Sequence, residues 1–240
     1  MPFRRVFYPD FVLPPEGGGD FDPVATFFSA SENGLITDLS SLGNLWQNTD
    51  GTGAVTAVND PIGRIDDVSG NGNHLTSFSA TKGLLKQDAN SKYYVDTTNG
   101  AFYVLTSVMS NLRSACMVLD NDSSGAYAPF IGHASAYDFH GNASAGLILD
   151  TSYAATVVVN GAWKKDGTTI TPGTDTYPTT PGVLSVITTG NANAGYISRD
   201  RNFNNRELRG KIYEVFLNSA DVGATDMESY RVHLVSKFSL

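Results

Sequence analysis

The fold prediction rests first on Asp67-Val-Ser-Gly-Asn-Gly-Asn-His74, which has the pattern of a tight connection between two β-prone runs. Its glycines tolerate the positive φ angles of turns, and its asparagines can hydrogen-bond to nearby backbone. The carboxylate at its start can accept the backbone N–H groups of the same turn. The stretch therefore predicts a rigid link between strands. The alternative, sugar or calcium binding by its polar side chains, stays open.

Similar turn signals recur outward from this stretch and divide the chain into short β-prone runs. The Asn-Gly and Asp-Gly pairs, which suit hairpin turns, begin at residues 33, 50, 71, 99, 160 and 166. The β-prone runs are 45–47, 62–66, 93–95, 102–105, 114–119, 128–131, 147–149, 156–159, 183–188 and 211–217. About ten to fourteen strands with little helix are predicted, which indicates an all-β sandwich or barrel.

The composition narrows the function classes. Charged residues make up 17% of the 240 residues and the formal net charge is −8, so the chain lacks the positive field that nucleic-acid binding needs. No apolar run approaches the length of a membrane span, and no secretory signal peptide is predicted. A single cysteine excludes an internal disulfide and a cysteine-based zinc site.

Two segments interrupt the β pattern with helix signals. Asp22 followed by Pro23 is typical of a helix start and predicts a short N-terminal helix. Near the other end, Thr225-Asp-Met-Glu228 has the pattern of a capping box. The apolar residues that then fall on one helical face are Met227, Tyr230, Leu234 and Phe238. We expect an amphipathic C-terminal helix that packs on the outside of the sandwich.

Residues 1–23 are predicted to form an extended N-terminal arm ahead of a domain that spans 24–240. Prolines disfavour helix and central strand in this segment, and Gly17-Gly18-Gly19 is expected to supply a hinge. Its apolar residues are unusual for a solvated linker, so we expect the arm to pack on another protein or on its own domain. The candidate partner-binding residues are Phe3, Phe7, Tyr8, Phe11 and Leu13.

Several segments together resemble one family. Leu45-Trp-Gln-Asn-Thr-Asp-Gly-Thr52, Val55-Thr-Ala-Val58 and Pro61-Ile-Gly-Arg-Ile-Asp-Asp-Val-Ser-Gly-Asn-Gly-Asn-His74 are similar to the opening of concanavalin A-like (laminin G-type) jelly-roll domains of bacteriophage and prophage structural proteins. Leu208-Arg-Gly-Lys-Ile-Tyr-Glu-Val-Phe-Leu217 and the helix after it resemble the last strand and terminal helix of that family. The resemblance implies a jelly-roll sandwich in a virion of a tailed phage or phage-like particle. There the chain would be an oligomeric spike, fibre or decoration, assembled in the host cytoplasm.

Fold analogy suggests binding of host surface glycan as the role of such a virion protein. Two alternatives stay open: a purely structural adaptor or base without a ligand, and a polysaccharide-degrading enzyme. Glycoside hydrolases with related folds carry Glu-x-Asp-x-Glu on one strand, and the five glutamates of this chain do not form that pattern. A non-enzymatic role is therefore expected, with an Asp-centred site as the remaining enzymatic alternative.

Candidate carbohydrate contacts come from an aromatic residue and a polar loop. Trp163 follows the turn at 160–161 and precedes two lysines, so it is expected to be partly exposed and able to stack on a sugar. The loop His133–His140 offers Tyr137, Asp138 and His140 for sugar or metal contact, with an ordinary surface loop as the alternative.

Two further polar stretches have more than one interpretation. Asp120 and Asp122 begin a run that resembles the first half of a calcium loop, although Ile131 in the twelfth position excludes an EF-hand. No cofactor is predicted, with calcium left open here beside a polar hairpin turn. The basic residues between 199 and 211 indicate an exposed loop, either solvated or in contact with an acidic neighbour or anionic polysaccharide.

Overall fold

The computed structural model of the chain describes residues 21–122, 127–142 and 146–240, which form a mostly β protein. The helices are α1 (Pro23–Phe27), α2 (Thr156–Val159) and α3 (Gly223–Phe238), and a 3-10 turn spans Leu42–Asn44. The strands are β1 (Gly34–Ile36), β2 (Leu45–Trp46), β3 (Pro61–Ile62), β4 (Arg64–Ile65), β5 (Leu75–Ser77), β6 (Gly83–Gln87), β7 (Tyr93–Asp96), β8 (Tyr103–Asn121), β9 (Ile131–Gly132), β10 (Ala162–Lys165), β11 (Thr168–Thr169), β12 (Gly182–Ile197) and β13 (Gly210–Asn218). Within the described ranges, no helix is both long and apolar enough to cross a membrane.

Two long strands, β8 and β12, organise the sheet because each changes neighbours along its length. The part of β8 around Leu119 pairs with β13, whereas the part around Leu105 pairs with β5. Strand β12 likewise changes from β10 to β9, and register shifts between Ile187 and Tyr196 accompany the change. The result is a nearly closed antiparallel sheet whose main path of eight strands runs β11-β10-β12-β8-β13-β7-β6-β3.

The hydrophobic core forms two clusters on opposite sides of the long strands. Met117 and Leu119 of β8 and Val215 of β13 belong to the main cluster inside the sheet. Val118 and Phe216, next to them in sequence, belong to a second cluster that α3 covers. The residues of α3 in this cluster are Met227, Tyr230, Leu234 and Phe238. The predicted apolar face of the C-terminal helix and its position outside the sheet are therefore confirmed.

The predicted N-terminal cap of α1 agrees with the structure, and the predicted cap of α3 does not. Asp22 caps α1 as expected, since its carboxylate accepts the N–H groups of Val24 and Ala25. The predicted capping box at 225–228 is wrong, because α3 begins at Gly223 and its N-cap residue makes no side-chain capping bond. The carboxylate of Glu228 accepts hydrogen bonds from Arg231 instead, one turn further along the helix.

Four β-prone runs differ from their predicted form. The valines of 156–159 predict a strand, yet these residues form α2, whose Val158 is fully buried and accepts the indole N–H of Trp163. Packing against β12 therefore overrides the weak local β preference. Runs 102–105 and 114–119 belong to one strand, β8, and in run 147–149 only Leu147 pairs, through an isolated bridge.

The turn at 67–74 has the structural role that its sequence predicts. The Asp67 carboxylate accepts backbone N–H groups from Ile36 at 3.1 Å, Ser69 at 2.9 Å and Asn73 at 3.0 Å. The side-chain amide of Asn73 donates to the carbonyl of Gly34 at 2.8 Å. Buried polar groups are satisfied in this way, so the turn ties β1 to the segment between β4 and β5.

Candidate functional site

A pocket of about 320 Å³ opens where three separate segments of the chain meet. These segments are 127–142 around β9, the turn at 150–153, and the loop 198–209 between β12 and β13. The lining residues are Tyr127, Tyr137, His140, Tyr153, Arg201, Phe203 and Arg206. Five of them carry aromatic rings and two are arginines, so the wall combines ring faces with positive charge.

The loop between β12 and β13 supplies the two arginines and is tightly folded. A backbone bridge between Arg199 and Glu207 closes its base. Arg201 has a φ of 44° and Asn205 a φ of 61°. Both angles lie in the left-handed region, which residues other than glycine rarely adopt. The chain therefore reverses direction within a few residues, and the loop presents Arg201, Phe203 and Arg206 to the pocket.

A buried carboxylate holds this loop in place. Asp200 accepts hydrogen bonds from Nε and Nη2 of Arg201 at 3.1 and 3.0 Å, and from Nη1 of Arg206 at 2.8 Å. Nδ1 of His140 lies 3.4 Å from the same carboxylate, whose side chain is 3% exposed. Burial raises the pKa of Asp200, but the hydrogen bonds from His140 and the arginines outweigh it and hold that pKa well below its usual range.

Both guanidinium groups lie over aromatic rings. The Cζ atom of Arg201 is 3.9 Å from the ring centre of Tyr137 and 4.7 Å from that of Phe203. The Cζ atom of Arg206 is 4.4 Å from the ring centre of Tyr127 and 4.5 Å from that of Phe203. Such contacts contribute roughly 0.5–2 kcal/mol each, depending on solvation. The arginines are thus positioned before any ligand arrives.

His140 connects the remaining rings. Its ring centre is 5.3 Å from that of Tyr127 in a stacked arrangement and 5.4 Å from that of Tyr137 in a tilted one. The ring of Tyr153 meets it edge-on at 5.6 Å. His140 is 4% exposed, whereas Tyr153 is 63%, Phe203 48% and Tyr137 45% exposed. The pocket therefore has a buried floor and a rim of aromatic rings that solvent reaches.

Two of the three residues selected from the loop His133–His140 enter this pocket, namely Tyr137 and His140. The third, Asp138, is outside the lining and binds elsewhere: its Oδ2 accepts the backbone N–H of Asn193 at 2.5 Å and the side-chain amide at 2.8 Å. Asp138 therefore fixes the loop against β12.

The expectation that Trp163 is partly exposed is wrong. It is 1% exposed, and its ring meets those of Phe130 and Phe139 edge-on at centre distances of 5.8 and 6.5 Å. Its indole N–H donates to the carbonyl of Val158 at 2.8 Å. The neighbouring lysines suggested a surface strand, but Phe130, Phe139 and Val158 pack around the indole, so it has no free face for a sugar.

The candidate calcium ligands lie at the end of β8, near the start of β13. Oδ2 of Asp120 is 2.6 Å from Nζ of Lys211, and Oδ1 accepts the backbone N–H of Lys211 at 3.0 Å. Burial raises the pKa of Asp120 in spite of this lysine. Asp122 is exposed, and residues 123–126 lie outside the described ranges. Among the described residues no group of three or more His, Cys, Asp or Glu side chains could hold a metal ion.

The predicted partner-binding residues of the arm lie outside the described residues. They are Phe3, Phe7, Tyr8, Phe11 and Leu13. Phe21 is the first residue that the structure describes. The centre of its ring lies 5.8 Å from that of Phe27, 6.1 Å from that of Tyr230 and 5.6 Å from that of His233. The end of the predicted arm thus contacts α1 and α3.

Sequence reasoning identified the basic segment that begins at Arg199 but expected an exposed loop. That expectation is wrong for Arg199, Asp200, Arg201 and Glu207, which are between 2% and 8% exposed. The signal that could have located the pocket was the alternation of arginines with Phe203 and one acidic residue. Tyr127 and Tyr153 carry no comparable sequence signal, because they reach the site only through the fold.

A comparison of the chain with protein-family models, with curated proteins and with solved structures finds no match.

Proposed function

We propose that this chain is a non-enzymatic virion structural protein of a tailed phage or phage-like particle, with a concanavalin A-like jelly-roll domain that binds host surface glycan. The observation that carries the glycan role is the pocket whose rim exposes the rings of Tyr137, Tyr153 and Phe203. The virion setting rests on the family resemblance and on the apolar composition of residues 1–23.

The pocket has the chemistry of a sugar site. Its volume of about 320 Å³ lies at the small end of the range of roughly 300–1,000 Å³ that is usual for small-molecule sites. Aromatic rings offer flat apolar faces to the C–H groups of a sugar ring, while the tyrosine hydroxyls and arginines can hydrogen-bond to its hydroxyls. Rings in the rim and donors beside them suit a single sugar unit.

The arrangement of charge favours binding over hydrolysis. Glycoside hydrolysis uses two carboxyl groups on either side of the scissile bond, one of them able to donate a proton. The carboxylate of Asp200 lies beneath the pocket lining and accepts hydrogen bonds from Arg201 and Arg206. Because its pKa is held low, it stays ionised and cannot serve as a general acid near neutral pH.

A glycan array followed by calorimetric titration of the full chain tests this function. We expect binding of at least one host surface oligosaccharide, and a loss of about tenfold in affinity for Tyr153→Ala or Phe203→Ala. That magnitude follows if a sugar covers roughly 60 Å² of ring at about 25 cal/mol per Å². Phe78→Ala is the matched control, since Phe78 is 56% exposed and outside the pocket.

One outcome would contradict the glycan role, and a second would contradict the assignment of that role to this pocket. Absence of binding to every sugar at millimolar concentration would leave a structural adaptor without a ligand. Binding that the rim variants do not weaken would move the site away from this pocket. Release of reducing ends from a bound polysaccharide would instead indicate an enzyme.

A further inference from the structure

The wall of the pocket is positively charged although the chain as a whole is acidic. Among the described residues its lining contains Arg201 and Arg206 and no carboxylate, while the formal net charge of the chain is −8. Asp200 lies below the wall, and its side chain is 3% exposed. Its negative charge compensates one of the two positive charges of the arginines. A positive site on a negatively charged protein favours an anion at that point of the surface.

We infer that the pocket takes a sugar that carries a carboxylate, such as a uronic or sialic acid unit, and that Arg206 binds this carboxylate. The inference rests on the proposed function and specifies the class of glycan. The sugar ring stacks on the aromatic rings of the rim, and the guanidinium of Arg206 pairs with the sugar carboxylate.

The two arginines differ in how many of their N–H donors are already used by Asp200. Arg201 is 8% exposed and uses both Nε and Nη2 for Asp200, so its guanidinium mainly holds the loop. Arg206 uses only Nη1 for Asp200, and its side chain is 25% exposed. Among the described residues, Nε and Nη2 of Arg206 have no hydrogen-bond acceptor. These two adjacent donors match the two oxygens of a carboxylate.

Arg206 is also held in position before binding. Asp200 fixes one end of its guanidinium, and the rings of Tyr127 and Phe203 lie 4.4 and 4.5 Å from its Cζ atom. An ordered side chain loses less conformational entropy when it binds a ligand. Phe203 contacts the guanidinium and is half exposed, so a sugar that stacks on this ring lies beside the free donors. The joint use of ring and charge favours a sugar carboxylate over a free inorganic anion.

The test compares acidic sugars with their neutral counterparts on the full chain. The probes are trigalacturonic acid, a hyaluronan tetrasaccharide and sialyllactose, each beside the same sugar with its carboxylate reduced to an alcohol. Inorganic sulfate is the anion without a sugar ring. We expect at least one acidic probe to bind about tenfold or more tightly than its reduced form, and more weakly as salt rises.

Three variants locate the preference. Arg206→Gln should abolish the preference for the acid, so that this variant binds the acidic sugar and its reduced form with equal affinity. Arg206→Lys keeps the charge without the paired donors and should retain only part of it. Arg113→Gln is the control, since Arg113 is 26% exposed, pairs with Asp221 and lies outside the pocket. Thermal unfolding of each variant shows whether the loop has survived the change.

The outcomes separate this inference from the function beneath it. Equal affinity for acidic and reduced sugars, or an acid preference that persists in both Arg206 variants, overturns the inference and leaves glycan binding intact. Sulfate that competes as well as the acidic sugar also overturns it, because the site would then be a simple anion site. No binding of any probe sugar, together with an empty glycan array, overturns the proposed function and the inference with it.

Discussion

Replacement of Asp200 by Asn should destabilise the protein strongly, because this buried carboxylate accepts hydrogen bonds from two arginines at the floor of the pocket. The side chain of Asp200 is 3% exposed and accepts three hydrogen bonds from Arg201 and Arg206. Loss of one partner of a buried ion pair costs about 3–5 kcal/mol. The side chain of Arg206 is 25% exposed, so water reaches part of the cluster and we expect the lower end, about 3 kcal/mol. The melting temperature should fall by roughly 6–12 °C in a chain of this size.

The measurement is urea unfolding followed by circular dichroism between pH 7 and pH 3. The pKa of Asp200 is lower in the folded state than its unfolded value of about 3.9, so its contribution is complete above that value. The contribution is lost as the pH falls through the folded-state pKa. Wild type and variant should therefore differ most at neutral pH, and the difference should begin to narrow below about pH 4.

Asp221→Asn is the control for this experiment. Asp221 also pairs with an arginine, at 3.2 Å from Arg113, but its side chain is 50% exposed. We expect a loss below about 1 kcal/mol there. The reasoning would be refuted if Asp200→Asn cost no more than this control, or if its cost were the same at pH 3 as at pH 7.

Two further predictions concern α3 and the single cysteine. Lys237 lies between Asp38 and Glu214, and Lys237→Met should cost about 3 kcal/mol in urea unfolding because Glu214 is 1% exposed. Burial already raises the pKa of Glu214 above its usual value in the wild type, and loss of the lysine raises it further. The cost should therefore grow as the pH rises above the folded-state pKa of wild-type Glu214, and a cost below about 1 kcal/mol at pH 8 would contradict the buried pair. Burial also raises the pKa of the Cys116 thiol, so it should react with a disulfide reagent in urea but not in the native state, and rapid native labelling would show that β8 is open.

Much of the β framework could be predicted because its signals are local. Turn chemistry at 67–74 and the helical spacing of residues in 227–238 depend on near neighbours in sequence, and the fold confirms both. The errors occurred where two interpretations share one local pattern. A run of valines suits a strand or a buried helix, and Trp163 beside lysines suits a surface or a covered strand.

The pocket could be predicted only in part. Tyr137 and His140 are predicted contacts because polar and aromatic residues share a loop, whereas the clustered basic residues predict only an exposed loop. The fold decided which of them meet. Tyr153 lies in a turn that no sequence pattern distinguished. The sequence predicted solvent-exposed arginines, but Arg201 and Arg206 donate hydrogen bonds to the buried carboxylate of Asp200.

The sequence alone therefore determined the β class, the turn at 67–74 and the buried face of α3, since periodicity and turn chemistry act between residues close in the chain. Tertiary structure decided which elements cover one another, and with that the burial of Trp163 and the assembly of the pocket. The physical reason is that periodicity records which face of an element is apolar, whereas the partner of that face depends on contacts between distant residues. A site made from segments around residues 127–142, 150–153 and 198–209 exists only once those contacts form.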